Sequence, residues 1–165
     1  MQIRIEPYTA IYKRQVIELI VPIQREEFNI PITPADQPDL QQIPAFYQKD
    51  NGNFWLALAG DSVVGTIALL DIGDHKGALR KMFVHKEYRG KIHGTGQLLL
   101  NTLISWAQQK SYTEIYLGTT TAFLAAHRFY EKNGFEEITV PELPVSFPRM
   151  EVDVKFYKKW VKAPL

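Results

Sequence analysis

From Leu79 to Trp106 the chain runs through an apolar strand, a basic turn with two closely spaced glycines and an amphipathic helix, a succession that constrains the fold more than any other stretch. Leu79-Arg80-Lys81-Met82-Phe83-Val84 reads as a strand, and Leu99, Leu103 and Trp106 recur at helical spacing. Between them lies Tyr88-Arg89-Gly90-Lys91-Ile92-His93-Gly94-Thr95-Gly96-Gln97. Gly94 and Gly96 remove Cβ atoms where a ligand would meet the backbone, and the unpaired N–H groups at the start of the following helix attract anions. Strand, turn and helix thus stand in the order that suits a phosphorylated ligand. Taken alone, the spacing also fits an ordinary solvated turn. A Walker-type loop is excluded because Gln97 and Leu98 follow Gly96, and a dinucleotide fingerprint lacks its third glycine, with Leu99 in that place.

The flanking pattern alternates strands and helices. Gln2 to Glu6 reads as a strand, and Thr9 caps a helix whose apolar face carries Val16, Leu19, Ile20 and Ile23. Four prolines between Phe28 and Pro44 leave room for one short helix near Asp39 to Phe46. Phe54 to Ala59 and Val63 to Leu70 form a hairpin through Gly60-Asp61, and Asp71 to Gly77 is a longer turn. A helix from Gly94 to Lys110 leads to a strand at Glu114 to Leu117. A helix from Phe123 to Asn133 follows, with Ala122, Ala125, Ala126 and Phe129 on one face, and Gly134 ends it. Met150, Val152, Val154 and Phe156 alternate with Glu151, Asp153, Lys155 and Tyr157 as in a half-buried strand. The order β-α-α-β-β-β-α-β-α-β-β predicts an α/β fold with a mixed sheet. Its pairing is antiparallel through the hairpins and parallel where the Gly94 helix crosses.

At 165 residues the chain is expected to form a single domain spanning 1–165. Its 45% hydrophobic content suits a packed globule, and its apolar runs are far too short to span a bilayer. Met1 to Glu6 alternate like a strand and lack the apolar core of a secretion signal. The absence of cysteine removes disulfides, thiol nucleophiles and thiolate metal sites, and is compatible with a cytoplasmic protein. A net charge of +1 gives no general pull toward nucleic acid or membrane, so neither is expected as a partner. Four scattered histidines without carboxylates at ligand spacing predict no metal site.

Val84 to Leu100, Glu114-Ile115-Tyr116-Leu117-Gly118 and Ala126-His127-Arg128-Phe129-Tyr130-Glu131-Lys132-Asn133-Gly134-Phe135 together resemble the GNAT superfamily of N-acetyltransferases. The resemblance is strong from Asn53 to Phe135, and Leu143-Pro144-Val145-Ser146-Phe147-Pro148-Arg149-Met150 looks like a bacterial branch of it whose acceptors are undefined. It implies a GNAT-like acyl-CoA N-acyltransferase fold, a central twisted sheet splayed at the cofactor site and flanked by helices, with acetyl-CoA as cosubstrate. Met82, Phe83 and Val84 would offer backbone hydrogen bonds to pantetheine. The loop residues Arg89, Gly90, Lys91, His93, Gly94, Thr95, Gly96 and Gln97 would hold the pyrophosphate, and Ala126 and Tyr130 would flank the cofactor from the second motif. Two departures stand out: Ile92 and His93 lengthen the loop, and Phe123 occupies the place of a frequent Asn.

Acetylation of an amine needs the neutral nitrogen, which for a lysine-like amine of pKa ~10.4 is on the order of one molecule in a thousand at neutral pH. A base must take a proton and an acid must return one to the departing thiolate. Tyr130, matching the tyrosine of the family motif, is the candidate acid, against the plainer reading of a packed ring with its hydroxyl at the surface. Ala78 stands where a strand carboxylate occurs in protein-lysine acetyltransferases. Glu27 is therefore the candidate base, with Glu26, Asp74 and His75 as substitutes; each is equally readable as a solvated surface group. Arg128 could serve the nucleotide end or be a solvated helix charge. Phe28 to Pro44 and Pro141 to Pro148 combine proline with apolar side chains, as walls of an acceptor pocket, covers for the core or a homodimer contact. The sequence thus predicts an N-acetyltransferase acting on a primary amine of a small molecule or peptide. The alternative is a CoA-binding regulator or sensor of the same fold without turnover.

Overall fold

The computed structural model describes residues 2–90, 92–121 and 124–162. Its strands are β1 (Ile3–Pro7), β2 (Asn53–Ala59), β3 (Ser62–Asp71), β4 (Lys76–Val84), β5 (Glu114–Thr119), β6 (Glu136–Ile138) and β7 (Lys155–Trp160). They form one sheet of order β1-β2-β3-β4-β5-β7-β6, in which only the β4/β5 pair is parallel. The helices are α1 (Lys13–Pro22), α2 (Pro38–Gln41), α3 (Ile43–Phe46), α4 (Thr95–Gln109) and α5 (Leu124–Lys132).

Both sheet faces are covered, which is why β2 is buried along its whole length. Phe54, Leu56 and Leu58 meet Val16, Leu19, Ile20, Leu40 and Ile43 on the α1–α3 side. Trp55, Ala57 and Ala59 meet Leu99, Leu103, Ile115 and Leu117 on the α4 side. The strand period of two sorts these side chains between the layers, and each fully buried Leu or Ile contributes about 1.5–3 kcal/mol.

The sequence pattern held for the first helix face, where Val16, Leu19, Ile20 and Ile23 are buried, but the ends of α1 differ from expectation. Thr9 precedes a 3-10 turn and makes no side-chain cap. At the other end Pro22 has no N–H to give, and the helix continues as a π turn over Ile23–Glu27, closed by the Phe28 N–H on the Ile23 carbonyl (3.2 Å). Instead of one short helix, two single turns, α2 and α3, each begin on a proline, Pro38 and Pro44.

Two further readings are corrected. In α5 the buried positions are His127 and Tyr130; of the expected face, Ala126 and Phe129 are half-buried against the same core, Ala125 is exposed, and Ala122, like Phe123, lies outside the described residues. Small alanines gave an apolar stripe, but the larger side chains fill the core, with His127 Nε2 donating to the Thr120 carbonyl (2.7 Å). The closing strand starts at Lys155, not Met150. Residues 150–153 instead form a turn in which the Met150 N–H donates to the Asp153 carboxylate (3.2 Å) and the Asp153 N–H to the Met150 carbonyl (3.1 Å).

Candidate active site

Parallel pairing of β4 and β5 covers only Lys76 with Glu114, Gly77 with Ile115 and Ala78 with Tyr116. Both strands continue, β4 to Val84 and β5 to Thr119, but no longer paired to each other. A gap therefore opens past Ala78, and the edge of β4 from Leu79 onward faces it without a strand partner. A β-bulge lies on this same stretch. Arg80 pairs with Ala68 and Phe83 with Thr66, so Lys81 and Met82 together oppose Ile67. Lys81 takes φ +55, rare for a residue with a Cβ, and the Thr66 hydroxyl donates to its carbonyl (2.6 Å).

The N-terminus of α4 stands on one side of this gap. Gly94 precedes it with φ +62 and open space where a Cβ would project, and Gly90 does likewise at φ +92. The first turn of a helix has N–H groups without intrahelical acceptors, and Gly94 offers no side chain to cap them. The Thr95 hydroxyl is buried without a partner among the described residues. These features fit a bound diphosphate.

Tyr130 lies on the α4 face of the sheet, packed against Phe129, Phe135 and Tyr157 at ring separations of 5.7, 5.6 and 6.2 Å. Burial pushes its phenol well above the usual tyrosine range, so it stays protonated at neutral pH, and its hydroxyl makes no hydrogen bond among the described residues.

Asp153 occupies the opposite face. It lies so close over Gly118 of β5 that a Cβ there would come 2.7 Å from its Oδ2. Burial raises its proton affinity above that of an ordinary aspartate, against the opposing pull of the Met150 N–H and the charges of Arg80 and Arg149. Arg80, on β4, has its guanidinium over the rings of Phe46 and Tyr47, 5.8 and 5.9 Å from their centroids.

The sequence model of the acetyltransferase (GNAT) family matches residues 17–135. The chain belongs to the GNAT family. It is similar to an acetyltransferase of GNAT family from Staphylococcus aureus Mu50, 43% identical with a TM-score of 0.92 over 97% of this chain and 99% of that one. The PaiA N-acetyltransferase of Thermoplasma acidophilum, solved with coenzyme A, shares the fold, with a TM-score of 0.76 at 18% identity over 97% of this chain and 99% of that one. Among curated proteins, the N-acetylaspartate synthetase of Xenopus tropicalis is 37% identical over 110 residues, which is 66% of this chain and 40% of that protein. The chain spans less than half the length of the curated relatives it matches first.

Within this GNAT chain the expected cofactor residues divide by what their side chains already do. Met82 packs toward Gly96, whose Cβ would lie 3.4 Å from the Met82 methyl and 3.9 Å from the Phe129 ring, so Gly96 lets α4 sit close to β4 and α5. The Phe83 ring faces the other way, onto Phe28 (6.0 Å). Gln97 is engaged with Asn101 and Asn133 (2.8 Å each) and so ties α4 to the end of α5. The His93 ring packs on Tyr88 (5.4 Å), and Ala126 packs against the α4-side core. Lys91 lies outside the described residues.

Arg89 and Glu27, read separately as a phosphate ligand and a base, meet each other. Arg89 Nη1 lies 2.7 Å from Glu27 Oε1 and Nη2 2.9 Å from Oε2, while Nε donates to the Val84 carbonyl (2.8 Å). This fork occupies both carboxylate oxygens and clamps the end of α1 to the end of β4. Asp74 and His75 sit in the β3–β4 turn at the paired end of β4, away from the gap, and Glu26 and Arg128 are exposed. Asp153 and the buried polar group around Lys81 escaped sequence reading. The only sign of Asp153 was an acid inside an otherwise alternating apolar stretch. Among the described residues no cluster of three His, Cys, Asp or Glu could hold a metal, and no helix is long and apolar enough to cross a membrane.

Proposed function

We propose that the chain uses acetyl-CoA to acetylate a primary amine of a small molecule or peptide directly. The observation that carries this reading is the β4/β5 gap opening past Ala78 and Tyr116 beside the uncapped first turn of α4. The exposed edge of Leu79 to Val84 would align the pantetheine arm as a missing strand would. The α4 turn and Gly94 would take the diphosphate, with Arg89 and His93 at its rim. When bound, acetyl-CoA supplies an activated acetyl thioester, so no covalent protein intermediate is needed.

Two groups then manage the protons. Asp153, rather than the ion-paired Glu27, accepts the proton that the ammonium must lose, since its half-buried carboxylate holds protons more readily than an exposed one. Tyr130, kept neutral by burial, donates its proton to the departing sulfur as the C–S bond breaks, and the second proton shed by the newly acylated nitrogen restores the phenol. The relatives named as N-acetyltransferases support nitrogen as the acceptor atom.

Calorimetric titration with acetyl-CoA tests the reading directly. Saturable binding to the parent protein is expected, and Gly94→Glu, which brings a side chain and negative charge to the cradle at a φ that disfavours it, should abolish it. Thiol release should then follow addition of a suitable amine; binding without thiol release across a broad amine panel would support the regulator or sensor reading instead. A second prediction concerns Tyr130→Phe. It should lower kcat by about 10²-fold or more with unchanged acetyl-CoA affinity, and full turnover would remove Tyr130 from the reaction.

A further inference from the structure

Arg80 acts on Asp39 and Asp153 through its charge but forms no ion pair among the described residues. Three other cations of this part of the fold have a carboxylate: Lys81 has Asp39 (3.3 Å), Arg89 has Glu27 (2.7 Å) and Lys158 has Glu114 (2.9 Å). Among the described residues no carboxylate lies within ion-pair distance of Arg80. Its side-chain hydrogen bond is a weak one, from Nη2 to the Met150 thioether at 3.6 Å. A guanidinium has five N–H donors in a rigid fork suited to a carboxylate, and here the fork lies over two aromatic rings.

The position of this cation matters as much as its lack of a partner. Arg80 lies two residues beyond Ala78, the last position paired with β5, on the face shared with Ala68 and away from α4. Residues just past the two proline-rich segments expected to wall an acceptor pocket converge on it, Phe46 and Tyr47 after the first and Met150 after the second. Across the gap on the same face, Asp153 lies over Gly118. Arg149, its guanidinium 5.6 Å from the Phe156 ring centroid, adds a second positive charge near Asp153 and also has no ion-pair partner among the described residues. One face of the gap thus presents an anion able to meet an ammonium and, beside it, cations able to meet a carboxylate. A plain amine would use only the first of these.

We propose that Arg80 anchors a carboxylate of the acceptor, so that the amine acetylated belongs to an amino acid or another small amino carboxylate. This rests on the N-acetyltransferase reading above. Arg80 makes no bond to the reacting nitrogen; it fixes the acceptor so that its amine faces Asp153 and the thioester.

The test uses the parent protein with acetyl-CoA, the free amino acids and, for each amino acid that releases thiol, its carboxamide and its decarboxylated amine. The free acid should show a kcat/KM on the order of 10- to 100-fold above that of the uncharged analogues. Arg80→Gln, which keeps much of the packing on Phe46 and Tyr47, should remove that preference by raising KM for the acid far more than for the carboxamide, with acetyl-CoA binding unchanged. Arg80→Lys should restore part of it. Equal use of acids and carboxamides by the parent protein would overturn the inference and leave the acetyltransferase reading intact. So would an equal effect of Arg80→Gln on both substrate types. Absence of transfer to every amine, despite acetyl-CoA binding, would overturn both.

Discussion

Asp153→Asn should lower kcat/KM for the amine by about 10²–10⁴-fold, the range for removal of a general base, without altering acetyl-CoA affinity. The substitution is nearly isosteric, and an asparagine oxygen can still accept the Met150 N–H that closes the turn over residues 150–153, so the loop should keep its shape. The pH profile separates a proton-transfer role from a packing one. Burial raises the proton affinity of Asp153, while the Met150 N–H, Arg80 and Arg149 pull it down, with a net rise. The base form is therefore lost on the acid side at a higher pH than for an exposed aspartate. The parent protein should lose kcat along that limb, and Asp153→Asn should have a flat limb at a low level. Gly118→Ala offers an independent check. A Cβ 2.7 Å from Oδ2 forces the carboxylate to move without removing it, and it should reproduce much of the loss. Retention of parent rates by Asp153→Asn would eliminate this carboxylate as the base.

The strands, the crossover and the α4 turn could be read from the sequence because each rests on local chemistry. Apolar alternation marks β2 and β3, Gly60-Asp61 marks their hairpin, and the glycines before Gln97 mark a helix start. The parts that escaped depend on residues distant in sequence. Asp153 seemed to point outward in an alternating strand because nothing local shows that its carboxylate can fold over Gly118, 35 positions earlier. Glu27 was readable as an acid near the acceptor side, but its pairing with Arg89 joins α1 to the end of β4 across 62 residues. The same holds for Lys81, which a strand pattern treats as a solvated charge. A bulge turns it inward beneath α2, and bulges have no reliable signature when the residue at positive φ is not glycine. The gap itself is a failure of pairing between two good strands, which composition cannot reveal.

Breaking the buried ion pair of Lys81 and Asp39 should cause the largest loss of stability from any one substitution near the site, because it strands a buried charge. Lys81 and Asp39 side chains are 7% and 9% exposed and 3.3 Å apart. Asp39 also accepts the Tyr47 hydroxyl (2.6 Å), and Lys81 donates to Gln37 (2.7 Å), which exchanges hydrogen bonds with Gln24 on the π turn. Asp39→Ala leaves the ammonium buried without its counter-ion and should cost about 3–5 kcal/mol, read as a thermal midpoint lowered by roughly 6–20 °C for a chain of this size. Replacing both partners, Asp39→Asn with Lys81→Met, removes both buried charges and should recover much of the loss; a double variant as unstable as the sum of the singles would show that the two do not act as a pair. The pH dependence has a definite sign. For Asp39, burial alone would raise the pKa, but Lys81, Tyr47 and Arg80 outweigh it and hold the group below the ordinary carboxylate value. Its stabilisation is thus present above the unfolded-state pKa of ~3.9 and lost as pH falls through the lower folded value. Lys81 is lowered chiefly by burial, with Asp39 offsetting part of it, so the folded state releases this proton more readily than the unfolded chain. Its penalty is full below the folded pKa and fades as pH rises toward ~10.4. Both groups therefore make the folded chain more stable as pH increases, in separate acid and alkaline windows, and Asp39→Ala should abolish the acid one. Because Lys81 is the residue held at φ +55 in the β4 bulge, loosening this pair should also disturb Arg80 beside it. A weaker preference for amino carboxylates in Asp39→Ala, measured well below its midpoint, would connect the packing of α2 to the choice of acceptor.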